Sequence, residues 1–582
     1  MKKDINMPER LKNRILAARK EIASDLVLKG GNLLNVFSCE TYEADIAIYD
    51  GVIVGTGTGY RGNTEIDIRG KWVTPGLIDG HLHIESSMLV PSMLAPELLS
   101  HGTTTIVSDP HEIANVLGVD GIRFMLDDSS RIPMDIFFMA PSCVPSTHLE
   151  TSGAVLDVSS LSSLTYEPRI LGLAEMMNFP GVLSGDRDVM EKIALFQDKI
   201  IDGHSPGMTG SDLQAYISAG IRSDHESTDR SEGILKIKNG MILMIREGTS
   251  AKNMADLLPL VNSKNSRRCC LVSDDLHPLD LKKRGHLDFA LKKAVSLGLD
   301  AATAVQLVTL NPSEYFGLKN IGAIAPGYKA DIAVFNDMKD FEIDKVYKNG
   351  DLVVDGGKPV YLSAGETKRH IKKSWRAGGF RVSPVSVEDL RIPYTGKKVR
   401  VINVVPGQII TKASIETPKE RGGYIISDIE SDILKLCVVE RHKGTGNIGL
   451  GLVKGLGLAR GAIASSVAHD SHNIIAAGVR DEEILLSINT VKEMAGGQVV
   501  VCGDTILAQL PLEVAGLMSA CSFEEMVRQV ESLKKAVSDI GCPLDDPFML
   551  LSFLALPVIP ELKLTDRGLI DVERFEIVDL YC

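Results

Sequence analysis

Six side chains able to bind a metal ion stand, one after another, at the polar ends of short apolar runs. His81 and His83 close TPGLIDGHLHIE, Glu175 closes RILGLAEMMN, His204 follows KIIDG, His225 follows GIRSD, and Asp274 ends CCLVSDD. Imidazole combined with carboxylate suits zinc, iron or manganese. His81 and His83 are two residues apart, so on an extended strand they point to one side and can reach one ion. The chain has 13 histidines, and a single one at a strand end is usually a surface or capping residue. The ordered set is what points to chemistry.

For these residues to meet, the elements carrying them must converge. Between Trp72 and Leu318 there are eight short apolar runs, each ending in polar residues and mostly followed by a helical stretch. Besides those above they include TTTIVSDPHE, DIFFMAPSCVPS and MILMIREG. Uninterrupted apolar runs suit parallel strands buried on both faces. Their alternation with helices suggests repeated βα units. Eight units in about 250 residues give an α/β fold, a closed (β/α)8 TIM barrel, whose strands present an active site at their C-terminal ends.

The flanks have a different texture. Residues 1–24 alternate charged and apolar positions at helical spacing. From Asp25, short β runs are cut by Gly and Asp, and the same texture returns at 330–356. Two β segments around a long insert predict one small composite β-sandwich domain. After about residue 375 a further α/β unit is expected, with KLCVVERH and QVVVCGD as strands and FEEMVRQVESLKKAV as helix. The expected domains are 1–72 and 318–375 for the helix and composite β domain, 73–317 for the barrel, and 376–582 for the C-terminal unit.

The formal net charge of −13 disfavours a dedicated nucleic-acid binder, which would carry a basic face. Nine cysteines, an odd count without Cys-x-x-Cys, suit reduced thiols in the cytoplasm. The N-terminus lacks a signal peptide's apolar run, and no stretch reaches the ~18 apolar residues of a membrane helix. A symmetric homodimer is the expected assembly.

Two motifs are set aside. Gly444-Thr-Gly446-Asn-Ile-Gly449 matches a dinucleotide fingerprint, but the glycines continue to Gly461, which is poor for the helix that must follow; a tight turn is expected instead. His83-Ile-Glu85 matches the His-x-Glu of small zinc base deaminases, but those also need Pro-Cys-x-x-Cys.

GLIDGHLHIESS resembles the first-strand signature of the amidohydrolase superfamily. KGGNLLNV, ADIAIYDGVI and IGAIAPGYKADIAVF resemble that superfamily's composite β domain. Within it, VSDPHEIANV, LAEMMNFPGV, DGHSPG, SDHES, SDDLHP and AHDSHNI are similar to the adenine deaminase family, which extends the resemblance over nearly the whole chain. The resemblance implies two divalent ions, manganese or iron, with zinc as the alternative. His81, His83 and Asp274 would ligate one, His204 and His225 the other. Glu175 stands where many binuclear relatives place a carboxylated lysine, and can bridge with its two oxygens.

The implied reaction replaces the amine on C6 of a purine base with oxygen. Asp274 is the expected proton shuttle beside the metal. Glu112 is the expected carboxylate on the purine edge, with Asp109 and Glu85 in reserve; each could instead be a loop carboxylate, and Asp109-Pro110 a helix cap. His469-Asp470-Ser471-His472 reads as a lid or second metal site, or as a polar turn. His101, His111, His148 and His277 read as structural or supporting. Ring opening of a cyclic amide and deacetylation are the competing reactions. A non-catalytic scaffold of the same fold is disfavoured because all six ligand positions are filled.

Overall fold

The structure is a computed structural model and describes residues 7–249, 251–360, 380–405 and 408–582. The eight apolar runs all form strands: β1 Leu77–Leu82, β2 Thr103–Ser108, β3 Asp135–Ala140, β4 Ile170–Met176, β5 Ile200–Gly203, β6 Ser223–Asp224, β7 Ile242–Arg246 and β8 Cys269–Val272. β1 to β5 pair in parallel and in order, as do β6 to β8. Two joints close the ring. Arg222 N–H donates to the Ile201 carbonyl at 3.0 Å between β5 and β6. Leu82 bridges to Asp274, whose N–H donates to the His81 carbonyl at 3.0 Å. The second joint therefore hydrogen-bonds two of the expected ligand residues through their backbones.

Burial on both faces explains the continuous apolar runs. Ile78, Val107, Met139, Ala174, Met244 and Val272 pack inside the ring. Phe316, Leu318 and Ile321 join this inner cluster, so the barrel interior runs past the expected boundary at 317/318. The outward residues of the same strands, such as Leu77, Ile106 and Leu243, pack with the surrounding helices.

The segments before and after the barrel form one nine-stranded sheet. Its long strand Ser24–Asn35 has a register shift between Leu28 and Gly31. Residues before the shift pair with Gly62–Asp67, residues after it with Trp72–Pro75, and Glu40–Tyr49 runs along the other edge. Three partners on one strand split the sheet into two leaves around Leu33, Ile46, Val73, Ile332 and Val334. Trp72–Pro75 also pairs antiparallel with Ile332–Phe335 and so crosses the expected 72/73 boundary. The helix Met7–Ala18 packs Ala17 against this domain. The start of the expected N-terminal helix at residues 1–6, and the expected boundary at 375/376, lie outside the described residues.

The C-terminal unit is built on an eight-stranded sheet with Ile433–Val439 and Gly497–Cys502 inside it. Helix Asp481–Glu493 covers one face through Ile484, Ile488 and Val491. Helix Phe523–Asp539 packs along Thr505–Pro511 and against the barrel helix Pro278–Arg284. The glycine run at 444–449 is a turn closed by its own acid: Glu440 accepts from the N–H groups of His442, Lys443 and Thr445 at 2.5, 2.6 and 2.8 Å. A carboxylate thus occupies the place a phosphate would need. Among the described residues, no helix is long and apolar enough to cross a membrane.

One buried cation ties the composite sheet to the barrel. Lys348 Nζ lies 2.7 Å from Asp331 Oδ2 and 2.9 Å from Asp135 Oδ2, at the start of β3. Removing one member of such a group leaves charge buried without a partner. Lys348→Met should therefore cost about 3–5 kcal/mol of stability. Urea unfolding checks this, and turnover of the folded fraction should match the parent.

Candidate functional site

The expected metal-binding side chains converge where the barrel strands end. Glu175, from the end of β4, is the hub. Its Oε2 is 2.7 Å from His204 Nδ1 and 3.1 Å from His225 Nε2, and its Oε1 is 3.5 Å from His83 Nε2. The ligating atoms of Glu175 and of His81 and His83 lie within 4.8 Å of one another, and so do those of Glu175, His204 and His225. Asp274 Oδ1 faces His81 Nε2 at 3.6 Å and His83 Nε2 at 3.2 Å. β1 is irregular here, with a register shift between Asp79 and Leu82, and the two imidazoles still come within 5.1 Å of each other.

These groups fit a divalent cation. All but His204 are buried. His81 Nε2 has no hydrogen-bond partner, which is costly for a buried imidazole unless something completes it. His83 Nδ1 is 3.1 Å from the Asp109 carbonyl; donation there leaves Nε2 free to ligate. Burial alone would raise the carboxyl groups, but His225 and His204 hold Glu175 well below the usual carboxylate range. His81, His83 and Arg246 do the same for Asp274. Both are therefore ionised, as ligands must be.

Further buried networks position the histidines. Asp224 Oδ1 accepts from the N–H and hydroxyl of Ser205 at 3.0 and 2.9 Å; Oδ2 accepts from the N–H and hydroxyl of Ser227 at 3.0 and 2.8 Å. Lys236, fully buried, sits 2.8 Å from Asp224 and from Glu232, and donates to the Ser205 carbonyl at 2.7 Å. This knot ties the residue after His204 to the residue before His225. Tyr216 links β4 to the same loop, donating to the Met176 carbonyl at 2.8 Å and accepting from His204 N–H at 2.9 Å.

Two members of the site escaped the sequence reading. Arg246 Nη1 lies 2.5 Å from Glu226 Oε1 and 2.9 Å from Asp274 Oδ2. Glu226 in turn stands 3.2 Å from His225 Nε2 and 3.5 Å from His204 Nδ1. The signal for Arg246 was an apolar run, MILMIREG, ending in a cation where most other strand ends carry acids or imidazoles. His111, read as structural or supporting, has its ring 4.8 Å from that of His83 and its Nδ1 3.8 Å from Glu175 Oε1.

The remaining candidates form an outer layer. Asp109 places Oδ2 3.3 Å from His111 Nδ1 and makes no capping bond to the helix His111–Leu117 that follows. Glu85 Oε1 accepts from Ile113 N–H at 3.2 Å, and its Oε2 is buried without a partner. Burial, then the neighbouring Glu85, push Glu112 well above the usual carboxylate range. Glu112 Oε1 is 3.7 Å from His469 Nδ1, and Glu112, His469 and His472 bring their ligating atoms within 4.8 Å. Ala468 N–H donates to His472 Nδ1 at 3.2 Å, which leaves the proton of neutral His472 on Nε2 and argues against that imidazole as a ligand. Asp470 Oδ1 is 3.7 Å from His469 Nδ1. A cavity opens here, with Glu85, Glu112 and His277 on the barrel side and His469, Gln498 and Phe548 on the C-terminal side. His277 also reaches Asp546 at 3.0 Å. His101, by contrast, pairs with Asp288 at 2.8 Å, and the His148 ring packs edge-on to Phe575 at 5.5 Å.

Comparison with known proteins matches this two-part layout. Residues 72–353 match the Amidohydrolase family, and residues 408–576 match the Adenine deaminase C-terminal domain. Over almost its whole length the chain is similar to adenine deaminase 2 of Carboxydothermus hydrogenoformans, 47% identical over 570 residues, 98% of this chain and 99% of that one. It is also similar to the adenine deaminases of Desulfatibacillum aliphaticivorans (46% over 569 residues, 97% and 99%) and Methanothrix thermoacetophila (46% over 575 residues, 98% and 100%).

The Asp224 knot generates a prediction. Asp224→Asn keeps the shape but loses the charge that holds Lys236 and both serine hydroxyls. Supporting residues of this kind typically carry about 10–100-fold in metal affinity. Dialysis against graded chelator, followed by metal analysis, should show a loss of that size.

Proposed function

The chain belongs to the adenine deaminase family and hydrolyses adenine to hypoxanthine and ammonia; on that premise we propose which of its residues carry each part of the reaction. His81, His83 and Asp274 would hold one divalent ion, His204 and His225 a second, and Glu175 would be shared. Support comes from Glu175 meeting both histidine pairs within ligating reach. Manganese or iron is preferred for this donor set, with zinc as the alternative. Divalent ions bound there supply Lewis acidity and water of lowered pKa. All nine cysteines are free, which supports a reducing, cytoplasmic setting. A symmetric homodimer is the expected assembly.

The chain's own groups then handle protons. Glu112 is the acid for the ring. Burial and the adjacent Glu85 keep its carboxyl protonated, so it can donate to N1 as the water oxygen bonds to C6. Asp274 is the base for that water. Arg246 holds its Oδ2 at 2.9 Å and its Oδ1 lies on the histidine side, so the carboxylate stands beside the water such ions would hold. The same arginine disfavours a protonated Asp274, so the proton moves on to the exocyclic amine. The C6–N bond breaks, ammonia leaves with that proton, and the second water proton returns to Glu112. Hypoxanthine keeps the proton on N1.

The single observation that carries this division of labour is the contrast in the surroundings of two buried carboxyl groups: Asp274 stands against Arg246, His81 and His83, which lower it, and Glu112 is buried beside Glu85, which raises it. Environments that push two such groups apart assign base and acid. Glu112→Gln should lower kcat on adenine about 10²–10⁴-fold while metal content stays at the parent level. Ammonia release and metal analysis on one preparation check both halves; a near-normal rate moves the role to Asp109 or Glu85.

Asp274→Asn should lose a similar factor, about 10²–10⁴. Asparagine keeps one oxygen for the metal but cannot accept the proton. The loss should persist when excess metal restores occupancy, and full rescue by added metal would make Asp274 a ligand only.

A further inference from the structure

The cavity between the barrel and the C-terminal unit has two walls, and the chemistry above uses only one. Glu112 belongs both to this cavity and to the group around His83, so it marks the side nearest the metal-capable cluster. Glu112 Oε1 and Glu85 Oε2 are buried there without partners. The wall from the C-terminal unit carries Gln498, on the strand Gly497–Cys502. Gln498 is only 5% exposed, and among the described residues its carboxamide makes no hydrogen bond. Its amide atoms are not among those sealed from solvent, so they stand open to the cavity and to a polar ligand there.

His469 and Ser552 are the other polar residues on this wall, and Ser552 Oγ accepts from His469 N–H at 3.2 Å. The His469 ring lies flat against Phe553 at 4.7 Å and its Nδ1 faces Glu112, so it belongs to the Glu112 side of the space. Met88, Val467 and Phe548 give the cavity apolar surfaces suited to the faces of a planar ring. Gln498 supplies the carboxamide on this wall that can meet a second edge of a ring whose first edge faces Glu112.

We propose that Gln498 reads the N3–N9 edge of adenine and thereby selects the free base over its N9-substituted forms. This rests on the deaminase reading above. With N1 and C6 turned toward Glu112 and the metal-capable cluster, the far edge presents N3, an acceptor, beside N9–H, a donor. A carboxamide is complementary: its N–H donates to N3 and its carbonyl accepts from N9–H. Glutamine makes the same kind of two-bond match with a different adenine edge in nucleic acids. A ribose or methyl group on N9 removes the donor and puts bulk where the carboxamide stands. A site built around a substrate N–H rejects strongly an analogue that lacks it.

The test compares kcat/KM for adenine, 3-deazaadenine and 9-methyladenine in the wild type, Gln498→Leu and Gln498→Met, with metal content as control. Methionine matches glutamine in length and guards against a packing defect in the leucine variant. Both variants should lose about 10–100-fold on adenine. Their adenine/3-deazaadenine ratio should fall by about the same factor, because the N3 contact is already gone. Comparing ratios cancels the intrinsic reactivity of each base. A ratio equal to that of the wild type in both variants overturns the N3 contact, and an unchanged adenine/9-methyladenine ratio overturns selection of the free base. Wild-type protein inert toward adenine would overturn the deaminase reading itself, a separate failure visible before any ratio is taken.

Discussion

Everything in the barrel is arranged around a carboxylate that water cannot reach. Glu175 is 4% exposed, and a buried carboxylate persists only where cations or proton donors surround it. Its neighbours come from β1, β5 and β6, and those strands meet at one point only if the sheet closes. Ring closure is thus a condition of the site and not merely of the fold. The joint between Leu82 and Asp274 shows the coupling directly, since its hydrogen bond runs from Asp274 N–H to the His81 carbonyl. Asp224, Lys236 and Tyr216 extend the same logic outward, each buried and each tying one histidine-bearing loop to its neighbour.

The C-terminal unit is joined to the barrel mouth at several points around the cavity. Ser519 donates to the Met88 carbonyl at 2.8 Å and accepts from Val90 N–H at 3.1 Å. Thr151 N–H donates to Asp566 at 2.8 Å, and His277 meets Asp546. Contacts on separate barrel loops fix the second wall in place. The barrel brings Glu85 and Glu112 to the cavity, and the second unit brings the facing wall. A substrate that fits only one wall is held less firmly than one that fits both, which is how a widely used barrel is narrowed to one kind of molecule.

Much of this was legible in the sequence because barrel strands advertise themselves. Their two buried faces give unbroken apolar runs, and their C-terminal ends give polar residues in a fixed order. Even the two-residue strand Ser223–Asp224 was found, through the histidine that follows it. Other features were hidden for physical reasons. Lys236 reads as one more lysine on a helix, and only folding buries it against Asp224. Arg246 lies on an otherwise ordinary strand, and its partners Glu226 and Asp274 are 20 and 28 residues away. Gln498 and Glu112 share a cavity across nearly 400 residues of chain, a separation at which no local spacing carries information. The domain edges at 72/73 and 317/318 blurred because Trp72–Pro75 and Leu318 each serve the neighbouring body.

The composite sheet has a consequence for how the chain is made. Trp72–Pro75 pairs with Ile332–Phe335, so the first leaf is translated about 260 residues before its partner strand exists. At about 5–20 residues per second, the nascent chain holds that unpaired edge outside the ribosome for roughly 13–50 s. During that interval the exposed edge is a template for pairing with other chains. The C-terminal unit is translated after the barrel, so the cavity acquires its second wall after its first.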